Sequence, residues 1–116
     1  MIKKIKIIIF FICLIIIYAI ILNFKSNFND KKKKELHAMQ WCQTLAEAIL
    51  KFNKFEKTEI TSQYMIELRG KYIQGLETWK DPWGNRYKLD YKKGIVYSSG
   101  PNGIDFDSDD IVVKYK

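Results

Sequence analysis

The residues best suited to chemistry lie near the C-terminus, where Ser98 to Asp110 reads SSGPNGIDFDSDD. This segment holds four Asp, one Asn and two Gly. Carboxylates and amides are hard oxygen donors, and calcium takes about six to eight of them, mixing carboxylates with backbone carbonyls. Clustered Asp residues repel one another, so a cation between them relieves that repulsion. Glycines let the chain wrap so that carbonyls face inward. The spacing is not that of an EF-hand, which fixes its carboxylates and closes on a Glu. On composition alone a solvated acidic turn competes with a metal loop.

No other set of residues carries comparable chemistry. His37 is the single His, and its place beside a lysine run reads as a surface helix position. No His, Cys and carboxylate combination has zinc-ligand spacing. Phosphate-cradling loops and nucleophile motifs are absent, so an enzyme is not expected. Trp41, Trp79 and Trp83 could form a sugar or base platform, but core and interface roles fit them better. Cys13 and Cys42 are placed too differently to form a disulfide framework, so cysteine does not report the redox compartment.

The acidic loop must be held by the elements before it. Arg86 to Tyr91 alternates, with Tyr87, Leu89 and Tyr91 on one face. Lys92-Lys93-Gly94 reads as a hairpin turn and Ile95 to Ser98 as the returning strand. Ile111 to Tyr115 is a last short strand. Asp81-Pro82-Trp83-Gly84-Asn85 is a turn cluster ahead of the hairpin. Upstream, Ala38, Trp41, Leu45, Ala48, Phe52 and Phe55 recur at steps of three and four, joined by Cys42 and Ile49. That period predicts an amphipathic helix over Lys32 to Phe55. Thr58, Thr61 and Ser62 predict a cap opening a second, shorter helix. It would bury Ile60, Tyr64 and Leu68 and stop at Gly70.

The first part of the chain is of another kind. Ile7 to Phe24 reads IIIFFICLIIIYAIILNF, with Asn23 its one strongly polar residue. As a helix it is roughly 27 Å long, close to the hydrocarbon thickness of a bilayer. Lys3, Lys4 and Lys6 precede it, Lys25 follows, and Lys31 to Lys34 form a run beyond. No small-x-small site follows the apolar run, so a retained anchor is expected rather than a cleaved signal. Asn23 to Asp30 could bend this helix or continue it. The chain has 116 residues and a net charge of +7, nearly all of it lysine. Because the lysines gather at the ends of the apolar run, lipid headgroups are the expected partner and nucleic acid is not. Counting positive residues favours a cytoplasmic C-terminal part. The organisation expected is a basic flank over 1–6, a transmembrane helix over 7–24, a helical stem and second helix over 25–75, and a hairpin, calcium-type loop and last strand over 76–116.

Lys80 to Tyr87, KDPWGNRY, resembles the D-P-W-G-N-x-Y turn of the pseudopilin G family of type II secretion systems. Val96 to Ile111, VYSSGPNGIDFDSDDI, is similar to that family's S-x-G-x-D-G loop ending in D-D-I. The two motifs follow in order at the family's spacing and cover about a quarter of the chain. The resemblance implies an α+β, pilin-like fold: a long N-terminal helix laid on a three-stranded antiparallel sheet, with a C-terminal metal-binding loop. It implies calcium as the metal. Asn102 stands where the family has Asp, and Asp109 matches the second acidic ligand. Ser99 and Ile104 would offer carbonyls. Asp105 and Asp107 would replace the charge lost at Asn102, and Asp110 would point away and hold the local turn.

The family's members stack by their N-terminal helices into a short periplasmic filament on an inner-membrane platform, together with minor pseudopilins. The function expected is therefore a structural subunit of a type II secretion or related pilus-type machine. Its C-terminal domain would then be extracytoplasmic. The chain departs from the family at its start. No Gly precedes the apolar run, and no acidic residue lies between Met1 and Asn29, where the family has its cleavage site and a buried Glu. The alternative expectation is a membrane-tethered calcium-binding or interaction module that does not polymerise.

Overall fold

The computed structural model describes residues 1–116. Its elements are helix α1 (Ile2–Glu56), then strands β1 (Lys88–Asp90), β2 (Ile95–Ser98) and β3 (Ile111–Lys114). The chain forms two compact units, Met1–Lys33 and Lys34–Lys116.

The first unit is the N-terminal part of α1. Every residue from Ile7 to Phe24 is exposed, with no other part of the chain covering it, and the stretch is apolar all round, the pattern of a helix buried in a membrane or a large core. It is long and apolar enough to cross a membrane by length and composition. The polar stretch Asn23 to Asp30 does not break the helix, which continues through it.

The second unit is built on the remaining turns of α1. Ala38, Cys42, Leu45, Ala46 and Ile49 form its buried stripe. Trp41, Ala48 and Phe52 pack partly buried beside it. Phe55, expected on the stripe, is 65% exposed. The apolar face has rotated toward Ala46, and α1 ends one residue later. Lys57 adopts a left-handed backbone (φ 54) and ends the helical hydrogen bonding there.

The stripe lies against a three-stranded antiparallel sheet of order β1-β2-β3. Lys88 pairs with Tyr97, Leu89 with Val96 and Asp90 with Ile95; Val96 in turn pairs with Val113 and Tyr97 with Val112. Side chains alternate across a strand, so Leu89, Val96 and Val113 share the face toward the core. Lys88, Tyr97 and Val112 share the other face. This is the α+β arrangement expected. Full burial of Leu45, Ile49 and Val96 stabilises the unit by about 1.5–3 kcal/mol each.

The second helix predicted over Thr58 to Gly70 does not form. A single 3-10 turn, Ile66–Leu68, takes its place, and another follows at Leu76–Thr78. Part of the predicted cap is real: the Ser62 hydroxyl accepts the Ile66 N–H at 3.0 Å and donates to Glu67. Met65, however, has φ 54, a left-handed conformation that an α-helix cannot propagate through. Ile60, Met65, Leu68, Ile73 and Leu76 are nonetheless buried, so the segment covers the core as a series of turns. Tyr64 turns outward and lies under the Arg86 guanidinium at 4.1 Å.

Candidate metal centre

The site begins at the turn before β1. Pro82 and Gly84 (φ 86) shape a tight turn in which Gly84 N–H reaches Asp81 O at 3.0 Å. The turn folds the Asp81 side chain inward, where it is only 4% exposed. One carboxylate oxygen accepts the backbone N–H of Trp83 (3.1 Å) and of Asn85 (2.8 Å). The other accepts the Ser98 hydroxyl at 2.6 Å. Ser98 Oγ in turn accepts the Gly100 N–H at 3.3 Å. The turn is thus fastened to the start of the acidic loop. Gly100 has φ 72, and a Cβ there would collide with the Asp109 carbonyl. Only glycine lets the two ends of the loop close on each other at this point.

Two contacts lay the loop on the outer face of the sheet. Lys88 Nζ, on β1, meets the Asp105 carboxylate at 2.8 and 3.1 Å, and Ser99 donates its hydroxyl to Asp105 at 2.6 Å. These hydrogen bonds hold the Asp105 carboxyl below the usual carboxylate range, because they favour the ionised form. One residue on, Phe106 lies 5.2 Å from the Tyr97 ring and beneath Lys93 Nζ at 4.1 Å. Phe106 has φ 63, an uncommon conformation for an aromatic residue. Its N–H is taken by Asp110 at 2.6 Å.

Between these anchors and β3, the carboxylates of Asp107, Asp109 and Asp110 converge, with oxygens all within 4.8 Å of one another. One oxygen of Asp109 and one of Asp110 are buried and have no hydrogen-bond partner. Asp107 faces Asp109, and its carboxylate favours the protonated form of the Asp109 carboxyl, which raises it above its usual range. Burial, and after it the neighbouring Asp107 carboxyl through hydrogen bonding and charge, raises Asp110 against the Phe106 N–H that lowers it. Asp107 moves the other way, held down by hydrogen bonds from Asp109 and Asn102. Crowded carboxylates with partnerless oxygens suit a hard cation, so the residues present fit the metal that the loop suggests.

The six residues marked from the sequence separate into groups. Asp107 and Asp109 lie in the cluster. Asn102 adjoins it: its side-chain amide donates to Asp107 at 2.5 Å and its backbone N–H to Asp109 at 3.4 Å. The Asn102 side-chain oxygen accepts the Ile104 N–H at 2.9 Å, closing a local turn. Ile104 itself is exposed. The Asp105 carboxylate is taken up by Lys88 and by the Ser99 hydroxyl. Asp110 does hold the local turn through Phe106, as expected, yet its second oxygen enters the cluster rather than pointing away. The adjacent acids Asp109-Asp110, where the loop enters β3, were the signal for it.

Other singled-out residues fall in plain places. His37 is exposed and accepts the Trp41 indole N–H at 2.6 Å. Trp41 and Trp79 meet edge to face at 4.2 Å and pack on the core with Trp83. Both cysteines are free thiols, with Cys42 buried, and burial pushes its thiol up to about 12. The chain matches no protein-family model, no curated protein and no solved structure.

Proposed function

We propose that this chain is a membrane-anchored, pseudopilin-like structural subunit of a type II secretion or related pilus-type machine, with calcium held in its C-terminal loop. One observation carries the reading. The two segments that resemble the pseudopilin G family, joined by the β1–β2 hairpin, meet through the Asp81 carboxylate and the Ser98 hydroxyl at 2.6 Å. Together they frame the Asp107, Asp109 and Asp110 cluster. The helix-on-sheet fold and the apolar start of α1 support the same reading. In it, the apolar part of α1 is both anchor and assembly helix. The C-terminal domain stands outside the inner membrane, and platform proteins and minor pseudopilins are its partners.

Crosslinking in the native membrane tests assembly. The proposal expects a ladder of dimers, trimers and larger species joined through the apolar helix. Monomers alone would contradict assembly and leave a tethered calcium-binding module that does not polymerise. A reporter fused after Lys116 tests orientation: it should be active in the extracytoplasmic compartment, and activity in the cytoplasm would reverse the topology.

A further inference from the structure

A polar stretch that continues a membrane-type helix without a break has to sit in the headgroup layer, and its residue pattern says what it meets there. From Phe24 to Lys33 every side chain is exposed. At about 100° per residue, Phe24, Phe28 and Lys31 fall on one line, and Lys25 and Lys32 on a second line beside it. Phe24 and Phe28 are 75% and 60% exposed. Lys25, Lys31 and Lys32 make no ion pair. Asp30, the one acidic residue of the stretch, falls on the opposite side with Ser26 and Lys33. One face is therefore aromatic and cationic with no acid on it.

We infer that this face, formed by Phe24, Lys25, Phe28, Lys31 and Lys32, binds anionic phospholipids at the membrane surface. The inference rests on the membrane-spanning reading of α1. Lengths agree with it. Lys32 lies eight residues past Phe24, about 12 Å along the helix. The headgroup region is roughly 5–8 Å deep on each side, and lipid charge acts for a further 8–10 Å or so. Long lysine stems reach back toward the phosphates. The apolar rings of Phe24 and Phe28 leave water for the acyl boundary and so turn this face toward the lipid, while the lysines meet the phosphodiesters. A nucleic acid would meet the lysines but leave both rings in water, and an acidic protein surface would do the same.

The test uses the full chain in phosphatidylcholine vesicles containing about a third phosphatidylglycerol or phosphatidylserine, with spin-labelled lipids reporting which headgroup the protein retains. Wild type should retain either anionic lipid over phosphatidylcholine, with the preference lost at about 1 M salt, where screening shortens to about 3 Å. Lys31→Gln should lower the preference by up to about fivefold. Lys33→Gln removes the same charge from the other face and should lower it by less than about twofold. The triple change Lys25→Gln, Lys31→Gln, Lys32→Gln should abolish it. Equal losses from Lys31→Gln and Lys33→Gln, or no anionic preference in inserted wild type, would overturn the inference and leave the anchor intact. A protein released by alkaline carbonate would overturn both. Lost crosslinked dimers in the triple variant, with lipid preference unchanged, would overturn it in favour of a second copy.

Discussion

The second unit contains two carboxylate sites that the fold treats in opposite ways. Asp81 is buried, yet three donors satisfy it: two backbone N–H groups and the Ser98 hydroxyl. Asp107, Asp109 and Asp110 lie at the surface, yet they face one another, and two of their oxygens have no partner. Burial alone does not decide whether a carboxylate is structural or poised for a ligand. The supply of donors does. The DPWGN turn fills its own acceptors and so works as a rivet between the turn and β2. The acidic loop leaves two acceptors unfilled from within, and in the proposed reading a cation completes it.

Replacing the rivet tests this contrast most severely. Asp81→Ala leaves the Trp83 and Asn85 N–H groups and the Ser98 hydroxyl unsatisfied in the interior. It should cost roughly 3–4 kcal/mol, read as a lower melting temperature of equal size with and without calcium. A loss confined to calcium-loaded protein would place Asp81 in the metal site and break the distinction. Asp109→Ala should behave in the opposite sense. Calcium at a hundredfold excess over its dissociation constant stabilises a binding protein by about 2.7 kcal/mol. That gain should vanish in the variant, while the calcium-free melt changes little because a repelling charge has gone.

The pH dependence separates the loop's own acids. Asp109 and Asp110 have raised folded-state pKa values, so the calcium-free fold holds their protons more tightly than the unfolded chain. Their contribution therefore grows as pH falls toward those values, and it is a cost above them. Asp105 is lowered; its contribution is present at neutral pH and is lost as pH falls through its depressed value. Protons compete with calcium for Asp109 and Asp110, so calcium stabilisation should fade on acidification before the Lys88–Asp105 contact is lost. Melts recorded across the acid range with and without calcium check this order. The smallest effect belongs to Lys88→Met. That ion pair is partly exposed, with side-chain exposures of 17% and 29%, so its loss should cost about 1 kcal/mol. Calcium stabilisation should survive it. A stronger calcium response would show that Lys88 had been withholding Asp105 from the metal.

The sequence revealed most where one simple period governs. The apolar run, the stripe from Ala38 to Ile49, the hairpin around Lys92-Lys93-Gly94 and the strand at Ile111 were all legible from spacing and turn residues. The segment after Thr58 was not. Its Ile60, Tyr64 and Leu68 fit a helical period, but the left-handed Met65 breaks the chain into single turns. That conformation is imposed by docking onto the core, which no local pattern encodes. In the loop, residue types pointed to the site but could not apportion the acids. Asp105 turns to Lys88 and Asp110 joins Asp107 and Asp109, because the sheet register brings Lys88 beside Tyr97 and under the loop. Register of that kind is set by pairing across the sheet rather than by neighbours in the chain.

The most direct measurement is a calorimetric titration of the full chain in detergent with calcium, repeated for Asp109→Ala and Asp81→Asn. The account predicts one calcium bound per wild-type chain and none by Asp109→Ala. Asp81→Asn, a structural change away from the cluster, should retain the site wherever it remains folded. No binding to folded wild type, or undiminished binding to Asp109→Ala, would contradict the assignment of the loop as a metal centre.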